Sequence, residues 1–309
     1  MTHDQRIDVA VTSDDIGVGL ADELLKVQAF HDEFDIPVTH FIVPFSLETD
    51  LGITTDPKLI DAMKLVEDRG SENQLHAYRH NLFEWGYPEI VSAMDLDEKV
   101  CEQFADSRFA IEAYHQKDAM RERLLLAMDE WERATGRRPT GFRSGWGSFS
   151  GTLYELLNEQ GFRWSSVRFA SRTGWKWSKE ECESADSYPE TINDAVGLAP
   201  FRQGDLVEFP ILGDFGFHAQ RSQANRLIGL FKRQFAICQE RNAPCVMVHH
   251  FHGLAAGGDN ADSGYDIYRE IFTWLKETQN VRFVTMDALC DAWKDRAITK
   301  PPQRMPQMG

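Results

Sequence analysis

The sequence predicts an α/β fold in which parallel strands close, or nearly close, into a barrel. Short runs of apolar and β-branched residues alternate with longer segments of helical periodicity, an order that is typical of parallel sheets. Seven or eight such units follow one another within 309 residues, which favours a barrel over an open doubly wound sheet. No Gly-x-Gly-x-x-Gly motif follows the first strand, so the main signature of a dinucleotide-binding sheet is missing.

Each predicted element follows from local patterning. The predicted strands are short, apolar and rich in β-branched residues; they are residues 7–12, 38–43, 73–77, 140–144, 162–167, 206–211, 245–249 and 281–285. The predicted helices have apolar residues at helical spacing; they are residues 20–34, 57–69, 120–135, 153–160, 224–241, 265–278 and 286–296. We expect a single domain, residues 1–298, followed by a Pro- and Gln-rich tail, residues 299–309, that is disordered.

Two long segments interrupt the alternation of strands and helices. Residues 81–119 are polar and aromatic, and residues 168–205 include Trp175, Trp177 and the acidic run 179–186. Long insertions at one end of a barrel commonly shape the substrate pocket. We expect these two segments to do so; the alternative is that they are plain excursions from the barrel.

Composition and charge narrow the function classes. The chain is 42% hydrophobic and 27% charged, which is ordinary for a globular protein with a sizeable core. Its formal net charge is -16 and no Lys- or Arg-rich run stands out, so a nucleic-acid partner is disfavoured. No segment approaches the ~18–20 consecutive apolar residues that a membrane span requires. The oligomeric state is not predicted.

The cysteines and the amino terminus indicate a compartment. The cysteines are scattered without a Cys-x-x-Cys pair; they are Cys101, Cys182, Cys238, Cys245 and Cys290. This spacing fits neither a disulfide framework nor a zinc-thiolate site. The amino terminus carries acids where a signal peptide has its apolar run. We therefore expect a cytoplasmic protein.

Two adjacent carboxylates, Asp14 and Asp15, follow the first predicted strand. Buried carboxylates are costly unless they are paired or bind a metal. In barrels, catalytic groups gather at the carboxyl ends of the strands. The alternative is that the two residues cap the amino terminus of the next helix.

Later strands also end in polar residues. His76 and His80 straddle the end of the third strand, where they could converge on one cation or be unrelated surface histidines. Arg143 ends the fourth strand and could orient a carboxylate or form an ordinary salt bridge. An apolar strand then runs into His249 and His250, with His252 two residues on. Together these groups could supply metal ligands, a base, an orienting cation and an acid, which metal-assisted hydrolysis needs.

These motifs resemble those of the polysaccharide deacetylases, the nodulation-factor deacetylase homology group or carbohydrate esterase family 4. That family reads T-F-D-D-G, H-S/T-x-x-H, R-x-P-x and later an apolar strand ending in His. The counterparts here are TSDDIG, HAYRH, RSGW and VMVH, in the same order. The resemblance extends over roughly residues 6–290, because LVEFPIL and FVTMDAL are similar to the family's closing strands.

The resemblance implies a fold, a cofactor and a role for each residue. The implied fold is a distorted seven-stranded (β/α) barrel of the glycoside hydrolase and deacetylase type. The implied cofactor is one divalent metal ion, with zinc the first choice and manganese, cobalt, nickel or iron as alternatives. The implied roles are metal ligation by Asp15, His76 and His80, base catalysis by Asp14 oriented by Arg143, acid catalysis by His249, and pocket lining by Trp146.

Several positions depart from the family pattern and mark a divergent member. Ala77 replaces Ser or Thr, Gly145 replaces Pro, and Ile16 displaces the glycine after the acids. The family's further Asp has no clear match, and Asp214 is the candidate to replace it. The acid is open between His249, His250 and His252; the strand-end position favours His249. The other two histidines, with Trp146 and Asp214, are expected to contact the substrate.

The predicted activity is metal-dependent hydrolysis of an N-acetyl group on a small-molecule or oligosaccharide substrate. Without a signal peptide, a precursor of a surface polysaccharide is the expected substrate. One alternative is hydrolysis of a cyclic amide or another small non-peptide C–N bond on the same barrel. Another is an inactive carbohydrate-binding relative, which Asp14 argues against because such a protein needs no base beside a metal ligand.

Overall fold

Seven parallel strands form the centre of the protein in the computed structural model, which describes residues 6–46, 48–88, 112–170, 197–255 and 262–299. In sheet order they are β10 (Cys245–His250), β1 (Ile7–Ile16), β2 (Val38–Ile42), β3 (Glu72–His76), β5 (Gly141–Arg143), β7 (Trp164–Ser165) and β9 (Leu206–Glu208). The other described strands are β4 (Tyr87–Pro88), β6 (Ser148–Phe149), β8 (Phe201–Gln203), β11 (Val281–Phe283) and β12 (Ile298–Thr299).

The segment after β9 brings the two ends of this strand order together. The Leu212 N–H donates to the Val246 carbonyl (2.7 Å), and the Val248 N–H donates to the Gly213 carbonyl (3.2 Å). Val246 and Val248 both belong to β10, so these two hydrogen bonds join the segment after β9 to β10. The predicted α/β barrel of seven parallel strands is therefore confirmed, and its distortion lies at this junction, where an isolated bridge between Gly213 and Met247 replaces a continuous ladder.

Helices follow the strands as the sequence predicts. They are α1 (Ala21–Asp32), α2 (Pro57–Asp68), α3 (Lys117–Thr135), α4 (Gly151–Glu159), α5 (Ala224–Glu240), α6 (Phe251–Leu254), α7 (Ser263–Thr278) and α8 (Met286–Trp293). Local chemistry sets their ends. Asp56 accepts a hydrogen bond from the Leu59 N–H and Pro57 occupies the first turn, so α2 begins there. Gly136, with φ of 74°, ends α3. The one-turn helix α6 was not predicted.

β1 is the central element of the barrel. It pairs with β10, β2 and β11, and nine of its ten positions are buried, including the polar residues Asp8, Thr12, Ser13 and Asp14. Among the described residues, the buried cysteines Cys238, Cys245 and Cys290 are free thiols. No helix in the described ranges is long and apolar enough to span a membrane.

Parts of the predicted organisation fall beyond these ranges. Trp175, Trp177, the acidic run 179–186, most of the 81–119 insertion and residues 300–309 lie outside the described residues, as do Cys101 and Cys182. Thr299, which the sequence assigns to the tail, is the second residue of β12, where it pairs with Arg202.

A polar network closes the end of the barrel where the strands begin. Glu72 accepts a hydrogen bond from the Thr39 hydroxyl (2.8 Å) and faces Asp287 at the start of α8. Asp287 in turn accepts a hydrogen bond from the Trp164 indole (2.8 Å) and from the Thr140 hydroxyl. Burial, and then the charge of Asp287, raise the pKa of Glu72 from 4.5 to about 7.

Glu72 should therefore make the protein less stable as the pH rises from 4.5 to 7. Over this interval Glu72 is ionised in the unfolded chain but not in the folded chain, so the free energy of the unfolded state falls relative to that of the folded state. At about 1.4 kcal/mol per pKa unit, the loss approaches about 3 kcal/mol at neutral pH. Denaturant unfolding at several pH values should show a flatter profile for Glu72→Gln. The exposed Glu155→Gln is the control, and parallel profiles for Glu72→Gln and wild type would contradict the assignment.

Candidate active site

A cavity of about 260 Å³ lies where the carboxyl ends of the central strands meet. Its lining includes every predicted site residue except His249: Asp14, Asp15, His76, His80, Arg143, Trp146, Asp214, His250 and His252. The remaining described lining residues are Ser144, Gly147, Val167, Phe169, Ile211 and Phe217. The cavity lining thus combines a set of carboxylates and imidazoles with a set of mostly apolar residues.

Both carboxylates at the end of β1 line this cavity, although neighbouring strand residues normally point to opposite faces. The register of β1 against β2 shifts between Ser13 and Ile16, and Asp15 has a left-handed φ of 72°. This irregularity allows Asp15 to line the same cavity as Asp14. The alternative prediction, that the acids cap a helix, fails because α1 begins after Leu20 without a side-chain cap.

Asp15, His76 and His80 form a group that could hold a metal ion, since their ligand atoms all lie within 4.8 Å of one another. Oδ1 of Asp15 lies 3.1 Å from Nε2 of His76 and 2.9 Å from Nε2 of His80. Nδ1 of His76 lies 3.1 Å from the Arg143 carbonyl oxygen. A proton on Nδ1 donates to that carbonyl and leaves Nε2 free to bind a cation, the usual arrangement behind a ligating histidine.

The electrostatics of the three groups suit a cation. Burial raises the pKa of Asp15, but the charges of His80 and His250 lower it more, so it stays well below its usual value. Burial lowers the pKa of His80, but the charge of Asp15, the hydrogen bond with Asp15 and the charge of Glu84 together raise it more, so the pKa of this imidazole increases. Two imidazoles and one carboxylate are a common ligand set for zinc, which leaves positions for water and substrate. The residues present therefore fit the implied metal.

Four non-glycine residues with left-handed backbone conformations surround these groups. They are Asp15 (φ 72°), Ala77 (φ 57°), His80 (φ 65°) and Trp146 (φ 59°). Such conformations cost about 1–3 kcal/mol each and persist only where the surrounding structure imposes them. Here Trp146 donates from its indole N–H to the His80 carbonyl (3.2 Å), which links two of the four.

Arg143 is buried at the centre of the barrel and is paired with Asp14. Its Nη1 donates to Oδ1 of Asp14 (2.8 Å) and to the hydroxyl of Thr12. Its Nε and Nη2 donate to the carbonyl and hydroxyl oxygens of Ser166 (3.0 and 2.8 Å), and its guanidinium lies 4.2 Å from the centre of the Phe41 ring. The predicted orientation of Asp14 by Arg143 matches this geometry.

His250 and Asp214 form a second pair across the cavity. Nδ1 of His250 lies 2.7 Å from Oδ2 of Asp214, whose Oδ1 accepts from the Gly216 N–H (2.9 Å) and lies 3.0 Å from the Tyr268 hydroxyl. Burial lowers the pKa of His250, but Asp15 and Asp214 together raise it more, to about 9. Asp214, predicted as a substrate contact or a replacement for the family's further Asp, lies where it holds this histidine.

His249 occupies a different place from the one the sequence favours. It is fully buried, its ring stacks on that of His31 in α1, and the two Nε2 atoms lie 2.8 Å apart. Burial and the neighbouring His250 lower its pKa to about 3. The correction follows from strand geometry: β10 is regular, so His249 and His250 face opposite sides, and His250 is the one that lines the cavity.

The apolar half of the cavity was missed in the sequence. Val167, Phe169 and Ile211 follow β7 and β9, and Phe217 packs against the rings of His250 (4.9 Å) and His252 (5.3 Å). Their positions just after predicted strands could have indicated a place in the cavity. Apolar residues at such positions, however, cannot be distinguished from core residues by sequence alone. His252 itself lies 3.7 Å from Oδ2 of Asp15 through Nδ1 and is partly exposed.

Comparison with known proteins establishes the fold. No family model matches the chain, and no curated protein matches its sequence. A Mycobacterium smegmatis structure classed as a polysaccharide deacetylase has a TM-score of 0.62 at 14% identity, covering 100% of this chain and 98% of that one. One so classed from Pseudomonas aeruginosa PAO1 scores 0.59 at 12% identity, and Puue allantoinase scores 0.56 at 12%; each comparison covers 94% of this chain and 91% of the other. The chain has the polysaccharide deacetylase fold that the motifs imply.

Gly145 should strengthen cation binding, because the absence of a side chain leaves room for the His80 imidazole. A methyl group at this position would lie 2.7 Å from Cδ2 and 2.9 Å from Cγ of the His80 ring, so Gly145→Ala should displace the imidazole. We expect roughly tenfold weaker zinc binding in a competition titration with a chromophoric chelator. Gly151→Ala is the matched control, because no neighbouring atom lies within 4 Å of its new methyl group. Equal zinc affinity of Gly145→Ala and wild type would argue against His80 as a ligand.

Proposed function

We propose that this protein is a metal-dependent hydrolase that removes an N-acetyl group from a sugar. One observation carries the proposal: a single cavity holds the Asp15, His76 and His80 group, with the Asp14–Arg143 and His250–Asp214 pairs among its lining. That combination provides ligands, a base and an acid around one substrate position. The motif resemblance and the shared fold support it, and a precursor of a surface polysaccharide is the proposed biological substrate.

The proposed cofactor is one divalent ion held by Asp15, His76 and His80, with zinc the first choice. When bound, it would polarise the substrate carbonyl and make a nearby water molecule easier to deprotonate. Manganese, cobalt, nickel and iron share enough ligand preference with zinc to remain alternatives. The Arg143 carbonyl accepts from Nδ1 of His76 and so orients its ring.

Asp14 is the proposed base. Its Oδ2 lies 3.9 Å from Nε2 of His76, beside the ligand group, while Oδ1 is held by Arg143. One carboxylate oxygen is therefore fixed, and the other can accept a proton from the attacking water.

His250 is the proposed acid, in place of His249. Its Nδ1 is held by Asp214, so Nε2 is the nitrogen that can donate a proton to the leaving amine as the C–N bond breaks. The carboxylate of Asp214 beside Nδ1 favours the protonated imidazole, which is the form that an acid requires. The apolar half of the cavity, near Phe217, would exclude water from the acyl group.

Hydrolysis of a small cyclic amide is a second candidate. The cavity of about 260 Å³ is compact, which suits a small molecule as well as one sugar ring. Puue allantoinase shares the fold. The same base, ligand group and acid would act on a ring amide, so the two candidates differ in substrate and not in machinery.

Zinc-loaded wild-type protein should release acetate from an N-acetylhexosamine, and Asp14→Asn should keep the metal while its turnover falls by about 10²- to 10⁴-fold. Asp15→Asn should instead lose metal, because it removes a ligand. Metal content and acetate release together separate the two effects. Absence of acetate release with any of the five metals would refute the deacetylase proposal, and ring opening of a cyclic amide in the same screen would favour the second candidate.

His250→Gln should lower kcat by roughly 10²- to 10⁴-fold with zinc affinity unchanged, because it removes an acid and not a ligand. His249→Gln should retain most of the wild-type rate and lower the thermal unfolding temperature, because it disrupts the contact with His31. Steady-state kinetics and thermal unfolding of both variants test this. A larger loss of kcat in His249→Gln than in His250→Gln would restore the strand-end assignment.

A further inference from the structure

We propose that Glu84 is a positioning residue that holds the loop between His76 and His80 in the conformation that binds metal. The proposal rests on the metal site of the proposed function and assigns a residue to it that no motif contains. Glu84 is fully buried and belongs to no strand or helix. It lies four residues beyond His80.

Both carboxylate oxygens of Glu84 accept hydrogen bonds from the loop backbone. Oε2 accepts from the Tyr78 N–H and Oε1 accepts from the Arg79 N–H, each at 2.7 Å. These two N–H groups are consecutive and lie midway between the two histidines. One side chain therefore fixes the central peptide units of the HAYRH loop.

This loop needs an external restraint because both of its ends are strained. Ala77 has a φ of 57° and His80 a φ of 65°, conformations that non-glycine residues seldom adopt. Ala77 also lacks the hydroxyl that the family pattern has at this position, so its side chain offers the loop no hydrogen bond. Glu84 supplies two strong acceptors between the strained residues.

Glu84 is itself anchored to a helix of the barrel. The Glu84 carbonyl accepts a hydrogen bond from Nη2 of Arg123 in α3 (2.9 Å), and the same Nη2 donates to the Tyr114 carbonyl (2.7 Å). The Glu84 N–H donates to the Asn81 carbonyl (3.2 Å). The restraint thus runs from α3 through Glu84 to the loop and its two histidines.

Glu130 provides a matched control. It is also a buried glutamate, and its Oε1 accepts from both the N–H (2.7 Å) and the hydroxyl (2.6 Å) of Thr54. Thr54 belongs to a short 3₁₀ segment, Ile53–Thr55, which does not line the cavity. Glu84→Ala and Glu130→Ala therefore each release a clamped backbone, and only the first should affect metal binding.

The test measures zinc dissociation constants by chelator competition, the visible spectrum of the cobalt-substituted protein, and thermal unfolding without metal. Glu84→Ala should raise the zinc Kd by roughly 10- to 100-fold and alter the cobalt spectrum, because His80 shifts. Glu84→Gln should show a smaller increase, because its amide oxygen can keep one of the two hydrogen bonds. Glu130→Ala should unfold at a lower temperature with Kd and cobalt spectrum unchanged.

Zinc affinity of Glu84→Ala within about twofold of wild type, with an unchanged cobalt spectrum, would overturn the proposal. If Glu84→Ala does not fold, Glu84→Gln decides by the same criterion. A similar loss of affinity in Glu130→Ala would also overturn it, because the effect would then follow general destabilisation. Wild-type protein that binds neither ion would instead refute the proposed function, and the Glu84 proposal with it.

Discussion

The buried guanidinium of Arg143 is the interaction on which the arrangement of the site depends. It projects from β5 into the centre of the barrel, donates to Thr12 and Asp14 of β1 and to Ser166 just beyond β7, and lies over the Phe41 ring of β2. Burying such a charge is costly unless its donors are satisfied. Satisfying them positions the carboxylate of Asp14, while the Arg143 carbonyl positions His76. A single residue thus orients groups on both sides of the candidate metal position.

The remaining charges of the cavity are arranged in pairs on the same principle. Asp15 contacts two imidazoles, and Asp214 contacts His250, so each carboxylate has a defined partner. The pairs are also coupled, because Asp15 contributes to the raised pKa of His250. Different parts of the fold support these groups. The Asp15, His76 and His80 group and Asp14 depend on β1, β3 and β5, whereas the His250–Asp214 pair depends on β10, the 211–216 segment and α7. β10 pairs directly with β1, and closure of the barrel after β9 adds Asp214 beside His250.

Much of this could be predicted because polar residues at the ends of apolar strands are conspicuous. Asp14, Asp15, His76, His80 and Arg143 stood out from that pattern, and all five line the cavity. Their catalytic and ligand roles stay predictions. The pattern could not choose between His249 and His250, because the choice depends on where each residue falls in the alternation of a strand whose register is set by its neighbours. It also could not show that Asp15 escapes that alternation through a left-handed φ. Glu84 and the network around Glu72 depend on contacts between distant segments, which local sequence patterns do not reveal.

The left-handed residues around the ligand group have a consequence for how this barrel could evolve or be engineered. Glycine would adopt the same backbone at Asp15, Ala77, His80 and Trp146 with less strain. At Asp15 and His80, however, glycine would remove the side chain on which the proposed chemistry depends. Selection for thermal stability alone would therefore favour glycine at these two positions, which would relieve backbone strain but abolish the proposed function. At the carboxyl end of the barrel, the proposed function therefore excludes substitutions that would otherwise stabilise the fold.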